Sequence, residues 1–195
     1  MTPSEIKAIL QGHNKNLMGA DLAGIDLSNA NLAQVNLKGA NLNGTILKQA
    51  DLRANLRGAD LMGANLTAAD MRNADLRGAI LIEANTTNIS LAGAFLAGAV
   101  LSNLDLAAVD LRGADLRGAN LTGCSLRKAD LGNANLAGID LSGADLEEAN
   151  LSGAVMRGAN LTQANLLCAH MDNTNLDGAT LTGACLTGTP LASPD

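Results

Sequence analysis

The chain has 195 residues, 47% hydrophobic yet only 1% aromatic, with no Trp, no Tyr, one Phe and a formal net charge of −6. An ordinary globular core draws on aromatics for buried area, so this one must be built from Leu, Ala and Met in a narrow interior. With 21 Gly and 3 Pro the chain is neither collagen-like nor Pro-rich, and its apolar content excludes general disorder.

In chain order, the first predicted element is a short helix. Thr2-Pro3-Ser4-Glu5 fits a capping box with Pro at the first helical position, and Ile6, Ile9 and Leu10 share one face before Gly12. It is expected to act as a lid over the N-terminal end of the fold. The opening residues carry neither a basic leader nor a long apolar stretch, and no window reaches the 18 or so apolar residues of a membrane span. A cytoplasmic protein without membrane association is expected, and the three cysteines, Cys124, Cys168 and Cys185, without metal-like spacing, fit a reducing compartment.

From Leu17 onward a five-residue unit, A-(D/N)-L-x-x, repeats almost without interruption, as in ADLRGANLTG over residues 114–123. A period of five is neither the 3.6 of a helix nor the 2 of a plain strand. It reads as two plus three. Ala and Leu, two apart, face inward from a short extended run, the Asp or Asn between them faces out, and the last two residues turn a corner. Stacked coils then form a solenoid in which each repeat touches mainly its neighbours. Periodicity alone leaves open whether a coil has three sides or four.

This array resembles the pentapeptide repeat family over about nine-tenths of the chain. The resemblance implies an all-β solenoid, a right-handed quadrilateral parallel β-helix with twenty residues per coil, to which the helix predicted from residues 2–10 adds a short N-terminal capping α-helix. About 36 units give about nine coils and a rod of about 43 Å at about 4.8 Å per coil. Three segments are predicted: a helical cap over 1–13, the β-helix over 14–192 and a tail over 193–195. The C-terminal end shows no counterpart to the helical lid. An uncapped edge invites pairing, so a homodimer through that end is expected.

Four departures from the repeat are candidates for function. The first is a slip: Leu56 follows Leu52 after four residues, not five. Both leucines face inward only if one corner residue is missing between Arg53 and Ala54, which keeps Leu56 above Leu37 and Arg57 above Lys38. The second is an apolar strip of outward positions, Met62, Ile80, Ile82 and Val100 on one face over three coils, with Phe95 around the corner. An exposed strip of this kind marks a partner site; alternatively, β-branched residues simply suit extended positions. The third is Thr86, which stands where an inward Leu belongs and must find a backbone acceptor.

The fourth is charge. Lys38, Arg57, Arg77, Arg117 and Arg157 form a broken basic stripe, but Asp75 and Asp115 share its face and no aromatic interleaves it, so nucleic-acid binding is not expected. Residues 129–195 hold one base against eight acids, among them Asp130, Asp140, Asp145, Glu147, Glu148, Asp172 and Asp177. Some members of the resembled family, the quinolone-resistance group, imitate DNA and bind gyrase. The acidic segment makes this an alternative function, although the chain lacks the Phe-rich core positions of that group. Acidity that merely aids solubility is the plainer reading.

No catalytic constellation is visible. The aspartates are spaced one per side, not paired in a cleft, and His13 and His170 stand beside no nucleophile or ligand set. The expectation is a non-enzymatic protein-interaction or structural scaffold, without cofactor, that presents its surface to a protein partner.

Overall fold

The computed structural model of the chain describes residues 3–11, 13 and 15–192. Thr2 and Gly12 of the expected cap and the tail 193–195 lie outside the described residues. Helix α1 spans Pro3–Leu10 with Glu5 in its first turn. Its Ile9 is buried and Ile6 packs against the first coil, where Leu17, Leu22 and Leu27 are 4%, 0% and 0% exposed.

The rest is a right-handed, four-sided parallel β-helix. Each outward residue bridges the residue about twenty positions on, so four columns climb the rod. The first face runs from Asn16 to Asn175, the second from Asp21 to Thr180, the third from Asp26 to Cys185 and the fourth from Asn31 to His170. Ala and Leu of every side fill the interior, with most of the leucines fully buried.

The composition of the repeat follows from hydrogen-bond accounting. In the unit around Leu131, the Leu131 N–H donates to Asn150 O one coil up at 2.8 Å, and the Asp130 N–H to Val109 O one coil down at 3.0 Å. At the corner, Asn133 N–H reaches Ser152 O at 2.9 Å and Ala134 N–H closes the turn on Leu131 O at 3.0 Å. One donor is left over, the N–H of the first turn residue. It goes to the outward side chain: Gly132 N–H donates to Asp130 Oδ1 at 3.0 Å. Asp or Asn at the outward position therefore completes a set in which all five N–H groups have acceptors. The second turn residue sits near φ +60° whether it is Gly or, as at Asn73 and Lys128, another residue. Gly adopts that region without steric cost, and Asn tolerates it.

Two places break the pattern. At the slip, Leu52, Ala54 and Leu56 all stay buried, Asn36 bridges Asn55, and Gly39 N–H donates to Arg57 O, so the columns pass through unchanged. The corner closes as a tighter turn, Ala54 N–H to Leu52 O at 2.7 Å, two residues back instead of three. The second place is a seam on the third face. Asn85 does not bridge Asp105, and the N–H groups of Thr86, Asn88 and Asp105 find no backbone acceptor among the described residues. Thr86 is 3% exposed, and its hydroxyl donates to Asp105 O at 2.6 Å, the acceptor its own N–H would otherwise use. Around it Ile89, Leu104 and Val109 occupy inward positions that are mostly Ala elsewhere. These larger inward side chains gather where the ladder between the two coils is broken.

The seam has a measurable consequence. In hydrogen exchange, the Asn88 and Asp105 amides should exchange at least about tenfold faster than Ala68 and Ser125, their laddered equivalents one coil away. Equal protection would mean that the ladder is continuous there.

Candidate functional site

The charged residues organise first by local chemistry. Five units read Asp-Leu-Arg or Asp-Met-Arg, at Asp51, Asp70, Asp75, Asp110 and Asp115. In each, the Arg two residues on folds back on its Asp, with Nε to Oδ1 at 2.8–2.9 Å and Nη2 to Oδ2 at 2.6–2.8 Å. Arg77 and Arg117 of the basic stripe are neutralised this way, and Lys38, Arg57 and Arg157 make no ion pair among the described residues.

The guanidinium hydrogen bond holds each of these five carboxyls below the usual range. A carboxyl whose pKa is lower in the folded chain stabilises it above the unfolded value of about 3.9, and that contribution is lost as pH falls through the folded value. Melting temperature should therefore be level between about pH 7 and 5 and fall below about pH 4. A level profile down to pH 2 would show the pairs to be energetically idle.

The acidic segment is spread around the rod. Asp177 lies on the first face, Asp140 on the second, Asp145, Glu147 and Glu148 on the third, and Asp130 and Asp172 on the fourth. Four of the seven have a cation from the coil below. Arg127 pairs with both Asp145 and Glu147, Lys128 with Glu148 at 3.5 Å and Arg112 with Asp130 at 3.6 Å. Asp140 is held low by the N–H and hydroxyl of Ser142. The sequence boundary at residue 128 separated these acids from their partners, which stand about 20 residues earlier in the chain and directly beneath them in space.

The apolar residues come together more closely. Ile80 bridges Asp60 below and Val100 above on the second face, with Met62 and Ile82 on the corner beside them; all four apolar residues are half-buried. Phe95, on the first face between Asp75 and Asp115, is 47% exposed. Each apolar outward residue also lacks the oxygen that would accept the next turn N–H. The N–H groups of Ile82, Ala97 and Ser102 accordingly have no acceptor among the described residues. Apolar area and unclaimed donors thus coincide on adjoining faces.

Burial pushes the Cys124 thiol up to about 11, and its Sγ donates to Leu101 O. Cys168 lies at a corner and Cys185 on the third face, both free and exposed. Among the described residues no three His, Cys, Asp or Glu side chains converge on a point where a metal ion would fit. No described helix is long and apolar enough to cross a membrane. Exposed Met18, at 60%, and a hollow at the slip corner, lined in part by Gln34 and Asn73, were not anticipated from sequence. The period marked Met18 as outward, but the hollow depends on what stands above and below the shortened side.

A family model for pentapeptide repeats matches in 8 copies, over residues 16–53, 53–85, 84–123, 124–163 and 154–189. Among solved structures the chain is similar to HetL, a pentapeptide repeat protein involved in heterocyst differentiation regulation in the cyanobacterium Nostoc sp. strain PCC 7120. Identity is 31%, covering 97% of this chain and 96% of that one, with a TM-score of 0.47. It is also similar to QnrB1, a plasmid-mediated fluoroquinolone resistance protein, at 17% identity, 84% and 90% coverage and a TM-score of 0.58, which speaks to the fold alone. A pentapeptide repeat protein of the Arabidopsis thaliana thylakoid lumen aligns at 30% identity over 70% of each chain, with a TM-score of 0.29. No curated protein matches.

Proposed function

The chain belongs to the pentapeptide repeat family, and on that footing we propose that it is a non-catalytic interaction scaffold whose protein partner covers the first and second faces around Phe95, Ile80 and Val100. One observation carries this reading: the exposed ring of Phe95, the Ile80–Val100 pair and three unclaimed backbone N–H groups lie together. A partner that buries the apolar area and accepts from those N–H groups gains on both counts, because a donor taken out of water without an acceptor costs free energy. Comparative capture with an Ile80→Asp variant tests it, and undiminished capture would reject it.

Self-association is a second contact, favoured by the last coil. There Leu176, Leu181 and Leu186 are only half-buried, unlike the leucines beneath α1. A second copy laid on this end would complete their burial. A sedimentation mass that stays monomeric at every concentration would exclude it. DNA mimicry draws little support from acids that occupy all four faces and are mostly paired. A gyrase supercoiling assay is expected to show no effect. A cytoplasmic setting suits the three free cysteines.

A further inference from the structure

The shortened side at Arg53–Ala54 does more than tighten a corner. On this edge the second turn residue of a coil normally sends its N–H up to the first turn residue of the next: Gln34 to Arg53 O at 2.9 Å, and Asn73 to Ala92 O at 3.0 Å. The residue that would do this for Arg72 O is the one the sequence omits. Among the described residues no donor meets that carbonyl. It is a ladder acceptor aimed into a gap.

The gap has room. A hollow of about 330 Å³ is lined by Gln34, Arg53, Ala54, Asn55, Asn73, Asp75, Arg77 and Phe95. A second, of about 210 Å³, shares Gln34, Arg53 and Asn73 and reaches Ala33 and Arg72. Its charges are already balanced, since Arg53 is held by Asp51 and Arg77 by Asp75. In both guanidiniums Nη1 has no hydrogen-bond partner among the described residues. An anion would have to compete with those carboxylates for the guanidiniums. An ammonium would face Arg53 and Arg77, with Arg57 close enough to act on Asp75. A neutral group that carries both an N–H and a C=O meets what the two adjoining hollows offer together: the Arg72 edge on one side, Arg77 and Phe95 on the other, and Arg53 shared between them.

We propose that this notch docks one peptide unit of an extended partner segment. The unit's N–H donates to Arg72 O, its C=O accepts from Nη1 of Arg53 or Arg77, and its side chain lies against Phe95. Lys15 shows that such a corner carbonyl can be reached by a side chain, because its Nζ donates to Ala33 O at 3.1 Å in the same register two coils below. The notch relies on the proposed partner surface only for what carries the peptide unit; the docking itself is measurable on the chain alone.

The test is a titration of the ¹⁵N-labelled full chain with N-acetylglycine methylamide, with inorganic phosphate and methylammonium run in parallel. The blocked peptide unit should give saturable shifts at Ala54, Asn55, Asn73 and the Arg53 Nε–H, with a dissociation constant on the order of 10 mM, as expected for so small a ligand. A variant with glycine inserted between Arg53 and Ala54 supplies its own N–H to Arg72 O. It should keep native shifts elsewhere and lose the response. No saturation by about 100 mM, ten times that constant, an undiminished response in the insertion variant, or a response to phosphate or methylammonium alone would each overturn the proposal. None of those results bears on capture through Ile80, so the two readings fail separately.

Discussion

Leu116→Ala should lower the unfolding free energy by about 3 kcal/mol, within the usual range for a buried leucine truncated beside neighbours that cannot close the space. Leu116 is fully buried, as are Leu96 and Leu136 in the coils on either side. The lost methyls therefore face neighbours above and below, and in a solenoid those two interfaces carry the stability of the row. Leu186→Ala, in a half-buried position of the last coil, should cost less than half as much. Urea unfolding of both variants checks this, and equal losses would contradict a core built row by row.

Ile80→Asp should reduce partner capture at least about 30-fold, the scale of losing an interface hot spot, without lowering the melting temperature. The second half of that expectation is what makes the variant informative. Asp at an outward position gives the chain the Oδ1 it uses elsewhere to accept the turn N–H, as Asp60 does for Met62 at 3.0 Å. The variant restores the acceptor that Ile82 N–H lacks, and it removes apolar area that only a partner would cover. The native side chain is thus a departure from the residue the fold prefers. A lowered melting temperature would show that Ile80 serves packing, and capture unchanged would show that the strip serves nothing.

Much of this architecture was legible from the spacing of Ala and Leu. Two inward residues in a unit of five dictate a cornered coil, and the survival of Ala54 two before Leu56 located the missing residue on the surface. The role of Asp and Asn was legible only as outward facing. That each completes the N–H accounting of its own turn depends on backbone geometry no period encodes. The Asp-Leu-Arg units are present as letters, and the period sets Asp75 and Asp115 on the face of Arg77 and Arg117. Pairing two residues apart across an inward leucine requires that both flank one extended residue, which the two-plus-three unit supplies, but the bidentate contact itself depends on side-chain geometry. The seam at Thr86 was half visible: a buried hydroxyl was expected to find a carbonyl, and Asp105 O is that carbonyl. The bulk of Ile89, Leu104 and Val109 gathers there only when residues fifteen and twenty apart are stacked.

The same stacking explains the candidate site. Phe95, Ile80 and the slip at Arg53–Ala54 are scattered along the chain, and the coil places Phe95 both on the wall of the slip's hollow and one corner from Val100. Photo-crosslinking in the source cell addresses this surface most directly, with a benzophenone side chain placed at position 95 and, as controls higher on the same two columns, at positions 135 and 160. Adducts at 95 and none at 135 or 160 are the expected result. Adducts at all three positions, or only at the controls, would contradict a partner seated on Phe95 and Ile80.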